Sequence, residues 1–173
     1  MARNGDNPSR PFQRHGAESN TQVGRDFESI AREFFNQHDL LLHKGFSVPI
    51  GVGVEKKEHL FDLGSSDPPI LVECKSHRWI SGDNVPSAKM AVWNEAMFYF
   101  HLVPADMYKV LFVLRDFSPR RGESLAQYYV RTHRHLIPPT VGILEYDEDD
   151  GSVRAIGAVR HPLLADAFRQ QPE

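Results

Sequence analysis

The sequence predicts an α/β fold of three layers, with helices on both faces of a mixed central sheet. Three observations predict it. An apolar stripe at helical spacing opens the patterned part, with Phe27, Ile30, Ala31, Phe34 and Phe35 at i, i+3, i+4, i+7 and i+8. Short strand-like runs follow, bounded by Gly, Pro, Ser and Asp. A segment of helical length, Pro86 to His101, then separates two such runs, Pro69 to Ser76 and Tyr108 to Leu114. An interior helix between two strands implies a right-handed crossover joining parallel neighbours.

Each element follows from its own pattern. Met1 to Gln22 is rich in Asn, Arg, Ser, Gly and Pro without periodicity, so residues 1–22 are expected to be a flexible arm and 23–173 a single domain. Gly24 to His38 reads as the first helix, with Glu28 flanking its apolar stripe and Arg25, Arg32 and Glu33 outward. Phe46 to Val54 reads as a strand with Val48, Ile50, Val52 and Val54 on one face. His59 to Leu63 is a second strand, stopped by Gly64 and the Ser-Ser-Asp-Pro-Pro turn. Pro69 to Ser76 is a third. In the second helix Trp93, Ala96, Met97 and Phe100 form the main stripe, extended by Val92 and Tyr99. Tyr108 to Leu114 is nearly all apolar, as expected of a strand covered on both faces. Ser118 and Pro119 suit the start of a helix running to about His135. Thr140 to Tyr146 and Ser152 to Val159 look like a hairpin around Asp149-Asp150-Gly151, and His161 to Gln170 a closing helix.

Composition excludes several classes of function. No apolar run in the 173 residues approaches a membrane span, and Met1 to Asn20 is polar, unlike a signal peptide. Cys74 is the only cysteine, which excludes an internal disulfide framework and a cysteine-based zinc site, and favours a cytoplasmic address. The net charge of −3 speaks against a nucleic-acid binder, but Glu145, Asp147, Glu148, Asp149 and Asp150 account for more than all of it. Lys109, Arg115, Arg120, Arg121, Arg131 and Arg134 face only Asp116 and Glu123 in the stretch up to His135. That run makes either a local basic face or scattered, solvated charges.

The third strand carries the chemistry. Its side chains alternate, so Ile70, Val72 and Cys74 share one face while Leu71, Glu73 and Lys75 share the other. Charges end an apolar strand when they are paired or bind something. Upstream, Asp62 ends the second strand, and a hairpin pairing of the two strands brings Asp62 and Glu73 to one point. Two carboxylates and a backbone carbonyl make a hard oxygen site suited to Mg2+, with water and phosphate completing it.

Asp62 followed by Glu73-Cys74-Lys75, within this order of elements, resembles the PD-(D/E)xK nuclease superfamily, whose restriction-endonuclease-like core is likewise αβββαβ. The resemblance spans roughly Gly24 to Leu114, with Phe61 in place of the proline that names the motif. It implies a metal-dependent DNA endonuclease that hydrolyses phosphodiester bonds. Asp62, Glu73 and Lys75 would be catalytic. Asp62, Glu73 and the main-chain carbonyl of Cys74 would hold Mg2+, for which Mn2+ is expected to substitute. Glu28 stands where many members carry a further acidic ligand. Lys89 or Asn94 stands for a polar residue of the second helix, and Lys75 would position water or neutralise developing charge. DNA is the implied partner, and a homodimer would place one site on each strand. His77, Lys89, Asn94, Arg120 and Arg121 are the candidate nucleic-acid contacts, the two arginines because a helix start favours anions. His59 flanks the same site, and Trp79 is a candidate for stacking on bases, whereas Tyr128 and Tyr129 fit core packing.

Two other readings compete. One keeps the nuclease-like fold as a DNA-binding or scaffolding protein without cleavage. The other is an unrelated α/β module, with Glu73 and Lys75 an edge-strand ion pair and Asp62 a turn residue. Other signals carry little. His133 and His135 are about 200° apart on a helix and cannot chelate together. The Glu145 to Asp150 run lacks a calcium-loop register and reads as a solvated hairpin tip, and Gly51-Val52-Gly53 lacks a Walker lysine.

Overall fold

The structure, a computed structural model, describes residues 20–157. It is a mixed α/β fold built on a six-stranded sheet, with three α-helices among the described residues. The chain runs α1 (Asn20–Asn36), β1 (His43–Ile50), β2 (Lys57–Ser66), β3 (Pro69–Lys75), α2 (Ser87–Leu102) and β4 (Tyr108–Leu114). A two-stranded ribbon of β5 (Phe117–Ser118) and β6 (Glu123–Ser124) comes next. Then come α3 (Leu125–His133), a 3-10 turn over Arg134–Leu136, β7 (Val141–Tyr146) and β8 (Val153–Ala155). The expected closing helix over His161 to Gln170 lies outside the described residues, as does most of the expected arm. The part of that arm from Asn20 onward is already helical.

The sheet order is β1-β2-β3-β4-β7-β8. β3, β4 and β7 are parallel and the outer pairings antiparallel. The crossover expected from the interior helix is therefore present, because α2 links the parallel neighbours β3 and β4. Apolar alternation in the central strands feeds two cores. Phe27, Ala31 and Phe35 of α1 pack on Ile70, Val72, Val110 and Phe112. On the other face Trp93, Met97 and Phe100 of α2 pack on Phe61, Leu71, Leu111 and Val113, with Tyr129 of α3 beside them. Burial of these side chains is the main stabilising contribution of the sheet–helix contact. The α1 stripe is narrower than its spacing implies, since Ile30 is exposed.

Several boundaries differ from expectation. β1 ends at Ile50, and Val52 and Val54 are exposed in the following loop, where Lys56 Nζ donates to the Gly51 carbonyl at 2.7 Å. β2 does not stop at Gly64. The Phe46 ring lies 2.6 Å from where a Cβ would stand there, so the glycine is what lets the strand continue under that ring. The third helix starts at Leu125 rather than near Ser118. Gly122, at φ 66°, turns β5 back into β6, and Ser124 then caps α3 in a reciprocal box with Gln127. Ser124→Ala is expected to cost about 1 kcal/mol of unfolding free energy, measurable by urea denaturation, whereas Ser118→Ala leaves α3 capped.

No described helix is long and apolar enough to cross a membrane.

Candidate active site

The site lies where β2 and β3 part. Their ladder pairs Leu63 through Ser66 with Val72 back to Pro69 and goes no further. On the other side of β2 the ladder with β1 skips the opposed pair Gly45 and Asp62. Gly45 has φ 63°, a conformation that turns the pleat and favours glycine. Phe61 accordingly faces the α2 core and Leu63 the α1 core, so Asp62 between them turns edgewise toward β3. Its Oδ2 accepts the Cys74 backbone N–H at 2.7 Å, in the place of the missing strand partner. A strand residue directs its N–H and C=O to the same side, so the Cys74 carbonyl opens into the same gap.

Glu73 and Lys75 sit on the α2 face of β3, as their alternation requires. Lys75 Nζ donates to Glu73 Oε2 at 2.5 Å and lies 3.8 Å from Asp62 Oδ2, so one ammonium serves two carboxylates. Burial disfavours charge on Lys75, but Glu73 and then Asp62 outweigh it and hold its pKa above the ordinary value. For Glu73 burial dominates. It raises the pKa to about 7, Lys75 pulls it down, and the Asp62 carboxylate raises it further. Glu28 of α1, half-buried, faces Asp62, and its pKa is raised by burial and by that carboxylate. His59 Nε2 lies 3.7 Å from Glu73 Oε1, with the ring packed on Phe61 and Tyr99.

The raised pKa of Glu73 makes stability depend on pH. In the fold it is about 7, above the ordinary 4.5 of an exposed glutamate, so protonation favours the metal-free fold. That contribution is complete below about pH 4.5 and is lost as pH rises through about 7. Unfolding in EDTA is expected to lose on the order of 3 kcal/mol between acid and pH 8, and Glu73→Gln to flatten the profile. Urea melts at the two pH values check it; an equally steep profile in the variant assigns the slope to another group.

Beside these residues runs a groove of about 520 Å³, lined by Lys75 at the end of β3, by His77 and Arg78 just after it, by Lys89 and Val92 of α2, and by Val23 of α1. Of the nucleic-acid candidates, His77 and Lys89 line it and the others do not. Asn94 points elsewhere: its Oδ1 accepts the Tyr129 hydroxyl at 3.0 Å, and it borders a separate cavity with Met97 and His101. Arg120 and Arg121 sit in the β5–β6 turn, not at a helix start. They donate to the carbonyls of Gly82 and Asp83, and Arg121 also stacks on Trp79 at 4.7 Å. Trp79 is held by Asp116, which takes both its backbone and indole N–H groups, so it is not a free stacking platform. These contacts clamp the loop that walls the groove.

The basic run from Lys109 to His135 forms no continuous positive face. Lys109 is buried and donates to the Pro104 carbonyl, Arg115 pairs with Asp147, and Arg131 with Glu123. Nor is the acidic run a solvated tip throughout, for Glu145 is fully buried and paired with Arg154.

Among the described residues no three His, Cys, Asp or Glu side chains form a ready metal cluster. The oxygen donors that do converge, Asp62, Glu73 and the Cys74 carbonyl, fit a hard cation that keeps water or phosphate in its remaining positions, while Glu28 feels the Asp62 charge without completing a cluster of three carboxylates. The contact between Trp93 and His77, and the seat of His59 on Tyr99, lie between residues far apart in the chain, and no motif marks them. Comparison with protein-family models, curated proteins and solved structures finds no match, so the chemistry of the site rests on this chain's own residues.

Proposed function

We propose that this chain is a metal-dependent DNA endonuclease hydrolysing phosphodiester bonds, with a three-layer restriction-endonuclease-like core of the PD-(D/E)xK type. The observation that carries the reading is the meeting of Asp62, Glu73 and Lys75 in the gap between two diverging strands. The αβββαβ order through β4 and the helices on both sheet faces support the fold reading.

Asp62, Glu73 and the Cys74 carbonyl would hold Mg2+, and Glu28 would assist. The chemistry supplied by a bound Mg2+ is polarisation of a phosphoryl oxygen and acidification of water. The chain's own part is positioning and charge. With Glu73 engaged elsewhere, the Lys75 ammonium is free to hold the attacking water or to meet charge developing on the phosphate. In the metal-free fold its proton stays on Nζ at neutral pH, because Glu73 and Asp62 raise its pKa. Lys89 adds positive charge along the groove, where a phosphate backbone would lie. A homodimer that sets one site against each strand belongs to the same proposal.

Incubation with supercoiled, linear, single-stranded and branched DNA, with Mg2+ and with EDTA, tests it. Cleavage of at least one substrate only with metal is expected. Metal binding with every substrate left intact favours the scaffolding alternative.

A further inference from the structure

Trp93 is fully buried on α2, and its indole Nε1 lies 2.8 Å from Nδ1 of His77. An indole nitrogen can only donate, so Nδ1 must accept, and the single ring proton of His77 sits on Nε2. The two rings lie nearly parallel, 23° apart with centroids at 6.3 Å, which turns Nδ1 toward the core. His77 also lines the groove, among Lys75, Arg78 and Lys89. Arg78 is already paired with Glu148 at 2.6 Å, and Lys75 with Glu73. His77 is therefore a neutral donor of fixed direction in a groove whose other nitrogen-bearing side chains, Lys75, Arg78 and Lys89, are cations, two of them engaged.

We propose that His77 is a tautomer-locked donor whose Nε2–H binds a non-bridging phosphate oxygen of a nucleic-acid strand in the groove, and that Trp93 is the positioning residue that keeps the proton there. This deepens the nuclease reading and rests on it for the identity of the strand. Protonation of Nδ1 would set one N–H against another. Burial opposes it, the charged groups facing the ring, Lys89 and Lys75, add to that, and the pKa is lowered to about 4. The donor thus stays neutral from about pH 5 upward, and over that range it orients a phosphate without making binding depend on histidine protonation.

Two measurements decide it. Nitrogen-15 NMR of the full chain is expected to show His77 as the Nε2–H tautomer throughout about pH 5 to 8. The Nδ1–H tautomer, or titration near the ordinary 6.5, overturns the inference. Trp93→Phe, where it folds, removes the indole donor and should let the Nδ1–H tautomer appear beside the Nε2–H form. Fluorescence anisotropy with a labelled DNA duplex in Ca2+ is the second measurement. His77→Ala is expected to bind about tenfold more weakly, and His77→Gln, which keeps an N–H, to recover most of the loss. Equal binding by wild type and His77→Ala overturns the inference and leaves the nuclease reading standing. If the wild type binds neither duplex nor single strand, both fail together.

Discussion

Asp62→Asn and Glu73→Gln are each expected to remove metal-linked stabilisation. With Mn2+ about a hundredfold above its dissociation constant, wild-type protein should gain about 2.7 kcal/mol, or roughly 5–10 °C in Tm. The variants should gain nothing measurable, and metal-dependent cleavage should fall at least about a thousandfold. Neither change is expected to unfold the chain. Asp62→Asn keeps a side-chain oxygen to accept the Cys74 N–H, now held at 2.7 Å, and Glu73→Gln removes a buried charge rather than adding one. Thermal melts with and without Mn2+ check the first effect, and plasmid cleavage the second. An equal Tm rise in wild type and both variants would move the cation away from this gap.

Lys75→Met should separate the chemistry from the metal. Methionine keeps much of the stem packed but removes the ammonium between Glu73 and Asp62. Removing that cation raises the Glu73 pKa further above about 7, so at about pH 9, where both groups are driven to ionise, the metal-free fold should lose about 2–4 kcal/mol, an effect that a divalent ion offsets. The Mn2+-induced rise in Tm should therefore exceed that of wild type. Cleavage should nonetheless drop about a thousandfold, equivalent to about 4 kcal/mol of transition-state stabilisation. Near-normal cleavage would reduce Lys75 to a structural partner of Glu73.

The layered architecture was legible because it depends on local periodicity. Alternation in β3 put Ile70 and Val72 on the α1 face and Leu71 on the α2 face, as observed, with Glu73 on the Leu71 side beside His59 and Tyr99. The approach of Asp62 to β3 was legible only as a hairpin. The edgewise turn that completes it depends on Gly45 in a different strand, which no pattern around Asp62 reveals. Lys89 and Asn94 are five residues apart, about 140° around a helix, so only one of them can face the groove. The helix start was misplaced because Ser118-Pro119 competes with Ser124-x-x-Gln127, and the outcome depends on the β5–β6 ribbon. Charges were the least legible feature. A run of basic residues looks like a face until partners such as Asp147, remote from Arg115 in sequence, neutralise it.

The most direct measurement is an anomalous-difference map from crystals grown with saturating Mn2+. One peak is predicted in the gap between β2 and β3, bounded by the carboxylates of Asp62 and Glu73 and the carbonyl oxygen of Cys74, with the Lys75 ammonium displaced from Glu73. A map with no peak there, and Lys75 still seated on Glu73, would contradict the assignment.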